Sequence, residues 1–138
     1  MKIGWGIVGC GDIANKAVAP AINAQPDSRL VAFFSNTPDR AEEMRAAHGA
    51  ARAYSDLGQI LADDEVHAIY VSSPVHRHAP ETIAAAEAGK HVLCEKPMAL
   101  DVPEAERMIA ACDAAGVHLE VAYYRRFYPK TREMKRLI

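Results

Sequence analysis

Gly9-Cys10-Gly11-Asp12-Ile13-Ala14 carries the pattern G-x-G-x-x-A. It follows a short strand-like run, Lys2 to Val8, that is already rich in glycine at its start. It precedes an alanine-rich stretch, Asp12 to Ala24, in which Ile13, Ala17, Ala21 and Ala24 are spaced for one helical face. In that setting each small residue has a task. Gly9 permits a tight turn, Gly11 presents no side chain to a pyrophosphate, and Ala14 lets the helix pack close to the strand. The helix N-terminus adds N–H groups and the positive end of its dipole. The pattern predicts a dinucleotide-binding strand–turn–helix, and the alternative is a tight turn in a nucleotide-free domain. Pro20 predicts a kink or an early break in the helix.

The same alternation continues to the end of the chain. Gln25-Pro26-Asp27-Ser28 reads as a turn. Leu30 to Phe34 is a continuous apolar run, as expected for a strand buried on both faces. Thr37-Pro38 reads as an N-cap with proline at the first helical position, opening a helix to about Ala47 before Gly49. Ala51 to Tyr54 is a short strand, and a short helix runs from Ser55 or Asp56 to Leu61. Val66 to Ser72 is a strand, Pro80 to Ala88 a helix closed by Gly89, and His91 to Cys94 a strand. Asp101 and Glu104 form a capping box for a helix from Val102 to Ala115, with Gly116 at C′. Val117 to Ala122 is the sixth strand, and Pro129 opens a basic amphipathic segment. Parallel strands need crossovers, so this order predicts a Rossmann-type doubly wound parallel sheet in three α/β/α layers.

Bulk properties exclude several classes. Sixteen Lys and Arg against eighteen Asp and Glu give a net charge of −2, which excludes a strongly basic nucleic-acid binder. No apolar run is long enough to span a bilayer, and the N-terminus lacks a secretory apolar segment. Three widely spaced cysteines, Cys10, Cys94 and Cys112, fit a reducing compartment and not a disulfide framework. The expectation is a cytoplasmic protein with neither a nucleic-acid nor a membrane partner.

Ligands of such sheets bind beyond the carboxyl ends of the strands. The first strand ends at Gly9, the second at Ser35-Asn36, the fourth at Ser72-Ser73-Pro74, the fifth at Glu95-Lys96-Pro97 and the sixth at Tyr123. All are expected to face one crevice. No carboxylate stands between Arg29 and Pro38, where NAD enzymes carry an Asp or Glu for the ribose 2′-OH. Ser35 and Asn36 can donate to a 2′-phosphate and Arg40 can pair with it, unless Asp39 occupies it. That favours NADP, with NAD as the alternative. Glu95 and Lys96 are opposite charges placed directly after the apolar Val92-Leu93-Cys94. A lysine there can bond a substrate hydroxyl or stabilise an alkoxide as hydride leaves carbon, and Glu95 can fix a backbone or cofactor group. His76-Arg77-His78 has a metal-like spacing but no third ligand before Glu81, so no metal site is expected. His78 is a candidate for lining the nicotinamide crevice. Six basic residues against Glu133 give residues 123–138 a net charge of +5, and Tyr123 and Arg126 are candidates to orient a polar substrate or meet phosphate.

Taken together, Gly9-x-Gly11-x-x-Ala14, Ser73-Pro74 with His78, Ala88-Gly89-Lys90-His91-Val92-Leu93-Cys94-Glu95-Lys96-Pro97 and Arg125-Arg126-Phe127 with Pro129 resemble the N-terminal domain of the glucose-fructose oxidoreductase and inositol dehydrogenase (Gfo/Idh/MocA) family. The resemblance covers nearly the whole chain, and its Ala-Gly-Lys-His…Glu-Lys-Pro block is the specific part. It implies NAD(P)-dependent hydride transfer to or from a sugar, polyol or cyclic diol. Lys96 is then the residue that assists proton transfer or orients substrate, and Lys96–Pro97 a cis bond. The implied catalytic set is Lys96, His78 and Tyr123. The implied cofactor set is Gly9, Gly11, Asp12, Ile13, Ala14, Ser35, Asn36, Arg40, Ser72, Ser73, Pro74, His78, Glu95, Lys96 and Arg126. Two positions depart from the pattern: Asn36 stands where NADP-using relatives carry arginine, and Val75 where an asparagine is common.

The resemblance also implies a second α/β domain, which supplies substrate-binding residues and often the oligomer interface. Residues 1–122 are then the dinucleotide-binding domain, and residues 123–138 start the connection to a second domain needed in cis or in trans. Three function classes follow, and the intact glycine turn argues against one of them, a structural or interaction domain that has lost cofactor. Of the remaining two, one is the cofactor-binding half of an oxidoreductase, favoured by Glu95 and Lys96. The other is a dinucleotide-binding module without turnover of its own.

Overall fold

The computed structural model describes residues 2–138. Its centre is β1 (Ile3–Val8), flanked by β2 (Ser28–Phe34) on one side and β4 (Ala68–Val71) on the other. β3 (Arg52–Tyr54) extends the sheet beyond β2, and β5 (His91–Cys94) and β6 (Leu119–Val121) extend it beyond β4. Every pairing is parallel and the order is β3-β2-β1-β4-β5-β6. The helices are α1 (Ala19–Ala24), α2 (Pro38–His48), α3 (Leu57–Leu61), α4 (His78–Glu87), α5 (Val102–Ala115) and α6 (Pro129–Leu137).

Building outward from β1 in opposite directions puts the crossover helices on opposite faces, because such crossovers are right-handed. The core is accordingly in two parts. Ile7, Phe33 and Tyr70 pack with Ala14, Ala19, Ile22 and Met44 on the α1 and α2 side. Their sequence neighbours Val8, Phe34, Ile69 and Val71 pack with Ile60, Ala79, Ala85 and Met108 on the other. This is the period-two alternation of strands buried on both faces. β1 tolerates no side chain at Gly4, where a Cβ would lie 1.8 Å from the Glu65 carbonyl oxygen.

The expected α/β architecture is present, with differences at element ends. The first helix is not broken at Pro20. Residues 12–24 are continuously helical, and Ala14–Val18 widens into a π turn in which the Ala19 N–H donates to the Ala14 carbonyl. Proline cannot donate to the carbonyl four residues back, and the wider turn accommodates the mismatch. α4 starts at His78, two residues before the expected Pro80, after a 3₁₀ turn at Val75–Arg77. β6 starts two residues late, at Leu119. Val117 instead completes the end of α5: its N–H donates to the Cys112 carbonyl and that of Gly116 to Asp113, around Gly116 at φ 67°. At the other end of α5 the Asp101 carboxylate accepts the Glu104 N–H at 2.8 Å. The Glu104 carboxylate bonds back to Leu100 N–H, one residue before the expected partner.

Candidate cofactor cleft and lysine loop

The strand order reverses between β1 and β4, and the carboxyl ends of these strands open the crevice that such a reversal creates. Gly9 makes the turn out of β1 at φ 102°, a conformation that favours glycine. A Cβ there would fall 2.6–2.9 Å from the Ser72 and Ser73 backbone. The Gly9 N–H donates to Phe34 and its carbonyl accepts the Ser72 hydroxyl at 2.9 Å, so this turn is tied to both neighbouring strands. Gly11 differs: a Cβ there would meet nothing within 4 Å. The side of the turn that its Cβ would occupy is open.

A cleft of about 430 Å³ lies over this turn. Gly9, Gly11, Ser35, Asn36, Arg40, Ser72, Ser73 and Pro74 all line it, so eight of the expected cofactor residues are brought together. Arg40 makes no ion pair among the described residues; Asp39 does not occupy it. Thr37 sits at the N-cap of α2 without a side-chain cap bond, and its N–H is met instead by the Ser35 hydroxyl at 3.1 Å. Cys10 also lines the cleft, its thiol directed to the Phe34 carbonyl. Burial pushes that thiol up to about 11 against the opposing pull of Arg40.

The other expected residues fall elsewhere. Ala14 is wholly buried between helix and sheet, so it acts by packing and not by contact. Asp12 pairs with Lys16 on the exposed helix surface at 2.6 Å, which holds its carboxyl below the usual range. The Glu95 and Tyr123 strand ends line a different recess from Gly9, Ser35 and Ser72, one that extends along the α1 side of the sheet. Ile13, Glu95, Tyr123 and Arg126 line a second, mainly apolar groove of about 840 Å³, with Trp5, Tyr70 and Leu93 in its wall.

Glu95 is buried and holds a backbone group, as one of its expected roles required. One carboxylate oxygen accepts the Lys96 N–H at 2.9 Å and the other accepts the Tyr70 hydroxyl. Burial first, and then this carboxylate, push the Tyr70 phenol up. Lys96 itself is exposed, and the Lys96–Pro97 bond is cis. His78 is 2% exposed, with Nδ1 2.9 Å from the Pro97 carbonyl oxygen and Nε2 2.8 Å from that of Ser73. It therefore presents no free ring nitrogen to a substrate.

Three residues escaped the sequence reading. Arg77 and Glu81 line the cleft, with the Arg77 Nε donating to Glu81 at 2.7 Å and the Ser73 hydroxyl donating to its other oxygen. The i,i+4 spacing of Arg77 and Glu81 was the available signal. Tyr70 carried none, being one apolar position in a buried strand.

The Gfo/Idh/MocA profile, described as an oxidoreductase family with an NAD-binding Rossmann fold, matches residues 3–123.

The chain belongs to the Gfo/Idh/MocA oxidoreductase family.

Among its relatives in that family is the scyllo-inositol 2-dehydrogenase (NADP(+)) IolU of Bacillus subtilis. It is 38% identical over 97% of this chain and 40% of its own length. The 3-ketoreductase KijD10 of Actinomadura kijaniata, solved in complex with NADP, superposes with a TM-score of 0.93 at 34% identity, over 99% of this chain and 44% of that one. The WlbA dehydrogenase of Bordetella pertussis, in complex with NADH and UDP-GlcNAcA, superposes with a TM-score of 0.89 at 36% identity, over 99% of this chain and 41% of that one. The chain thus spans about two fifths of the length of these Gfo/Idh/MocA relatives.

Proposed function

We propose that the chain is the cofactor-binding half of an NADP-dependent oxidoreductase that acts on a sugar, polyol or cyclic diol. The observation that carries this reading is the unpaired Arg40 guanidinium at the rim of a cleft floored by Gly9 and Gly11. The residues present fit a phosphorylated dinucleotide. Gly11 leaves space beside the turn, Ser35 and Asn36 offer polar groups, and the cleft's only carboxylate, Glu81, is already engaged by Arg77 and Ser73. The bound nicotinamide would supply or accept hydride. Arg40 would pair with the ribose 2′-phosphate, and Asn36 would donate to it.

Lys96 is the proposed proton-handling or substrate-orienting residue. Glu95 holds its backbone N–H, and Tyr70 holds Glu95 in turn, so the base of the lysine is fixed while its amine is exposed. Tyr123 and Arg126, on the neighbouring groove, are proposed to orient substrate. Residues 1–122 form the cofactor domain in this reading, and residues 123–138 lead toward a substrate domain of the kind its longer relatives have room for. A second reading, a dinucleotide-binding module without turnover of its own, is favoured by the exposure of Lys96 and Tyr123 in this stretch.

Titration of NADP and NAD into the wild-type chain and Arg40→Ala tests the assignment. A charge-assisted bond contributes about 1.5–3 kcal/mol, or about 10- to 150-fold in affinity. Arg40→Ala is expected to lose that much for NADP at low salt and almost nothing for NAD. An equal loss for both, or a wild-type preference for NAD, would remove the 2′-phosphate from Arg40.

A further inference from the structure

Two loops meet at one buried side chain. The loop after β4 carries Ser72, Ser73 and Pro74 into the cofactor cleft. The loop after β5 carries Lys96 and Pro97. His78, in the first turn of α4, lies behind both. Its Nε2 is 2.8 Å from the Ser73 carbonyl oxygen and its Nδ1 is 2.9 Å from the Pro97 carbonyl oxygen. Carbonyl oxygens only accept hydrogen bonds. A neutral imidazole donates from one nitrogen and turns a lone pair outward from the other. Two carbonyl partners at bonding distance are both satisfied only by a ring that donates from both nitrogens. At 2% exposure no solvent contact replaces a missing donor, and an unmet acceptor there is costly.

Buried polar groups of both loops stand near the ring's partners. Glu81, one turn along α4 and 3% exposed, takes the hydroxyl of the same Ser73 and the Arg77 guanidinium. Glu95, 8% exposed, stands at the start of the lysine loop, after the protonated Cys94 thiol, which burial pushes up to about 12. Two carboxylates, the Arg77 guanidinium and the exposed Lys96 ammonium border the two loops.

We infer that His78 is a positioning residue that clamps the cofactor loop to the lysine loop by donating from both ring nitrogens, so that cofactor binding at Ser73-Pro74 sets the place of Lys96. The clamp makes no contact with substrate. Its coupling role rests on the reading of the cleft as the dinucleotide site. The clamp itself rests only on the two carbonyl contacts.

Nitrogen NMR of the ¹⁵N-labelled chain at pH 7 reads the ring directly. Both His78 ring nitrogens are expected to carry a proton, and one bare nitrogen would overturn the clamp. In the wild type, added NADP is expected to shift the backbone amides of Gly9 to Gly11 and also those of Lys96, Met98 and Ala99. In His78→Phe the first set is expected to shift and the second to lose its response, with His78→Gln, which retains a donor, recovering part of it. An unchanged response at Met98 and Ala99 in a folded His78→Phe variant would overturn the coupling. If neither variant folds, the wild-type ring measurement still decides the clamp. If NADP shifts no amide at Gly9 to Gly11 in the wild type, the cofactor reading fails instead, independently of the ring.

Discussion

Gly9 and Gly11 stand two residues apart and answer to different pressures. Gly9 is a requirement of the fold: its φ of 102° and the backbone of Ser72 and Ser73 within 2.9 Å both exclude a side chain. Gly9→Ala is expected to cost about 1–3 kcal/mol from backbone strain alone, more with the overlap, seen as a lower urea midpoint. Gly11 has open space around its missing Cβ. Gly11→Leu is expected to leave the melting curve within the range of about 0.5 kcal/mol usual for surface changes, yet abolish cofactor binding in calorimetry. Retained affinity in the folded variant would move the dinucleotide off this turn. The sequence pattern already separated a turn glycine from an open one, but not that the Ser72 and Ser73 backbone is what crowds Gly9, because that depends on β4 arriving beside β1. The cysteines give a second test. The native state keeps Cys10 and Cys94 protonated to about 11 and about 12, whereas the unfolded chain loses those protons near 9.0. Above pH 9 the unfolded state therefore binds fewer protons than the native state, and stability falls as pH rises. Urea midpoints are expected to be level up to pH 8 and to decline by pH 10, with a shallower decline in a Cys10→Ala, Cys94→Ala double variant.

At the scale of elements, the ends that were legible are those with local chemistry. α5 runs from Val102 to Ala115 as the capping residues and Gly116 indicate, and β5 covers His91 to Cys94 as its apolar run indicates. Asp101→Ala removes the acceptor held 2.8 Å from the Glu104 N–H and is expected to cost about 1 kcal/mol in urea denaturation, with cofactor affinity unchanged. No change in midpoint would mean that the Glu104–Leu100 bond alone secures this helix end. The ends that were not legible depend on partners far away in the chain. β4 starts at Ala68, and His67 just before it bonds Gly4, 63 residues earlier, through both its N–H and its ring. α4 starts at His78 directly after the 3₁₀ turn, and the ring of that residue meets Ser73 and Pro97, contacts that no periodicity reveals. The same limit applies to the site. The glycine turn, Ser35, Asn36, Arg40 and Ser72 to Pro74 were readable from strand ends. The roles of Tyr70, Glu81 and His78 were not, because a buried polar side chain acquires its task only from the partner the fold supplies.

At the scale of the molecule, the cofactor cleft and the lysine differ in how complete they are. The cleft is lined by elements of this chain, with β1, β2 and β4 contributing their ends and α2 contributing Arg40. Lys96 is exposed, and Tyr123, Tyr124, Phe127 and Tyr128 leave half or nearly half of their surfaces in solvent. Beside them runs the 840 Å³ apolar groove. Hydride transfer needs reacting carbons held at about 3–3.5 Å and a proton partner within hydrogen-bond reach. It also needs water kept away from the reacting centre. Nothing in residues 2–138 covers Lys96 to meet the last need. The 138-residue chain is therefore expected to bind NADP and to turn over sugars and polyols poorly or not at all. Absorbance of the reduced nicotinamide, followed with a panel of sugars, polyols and cyclic diols, makes the measurement. In any longer form that turns over, Lys96→Ala is expected to depress kcat far more than cofactor affinity, because the proposal gives the lysine the proton and the cleft the dinucleotide. Strong turnover by the 138-residue chain, abolished by Lys96→Ala, would show instead that this stretch encloses its own site, through self-association over the apolar groove. A sedimentation measurement on the same sample then separates an enclosed monomer from a pair of chains.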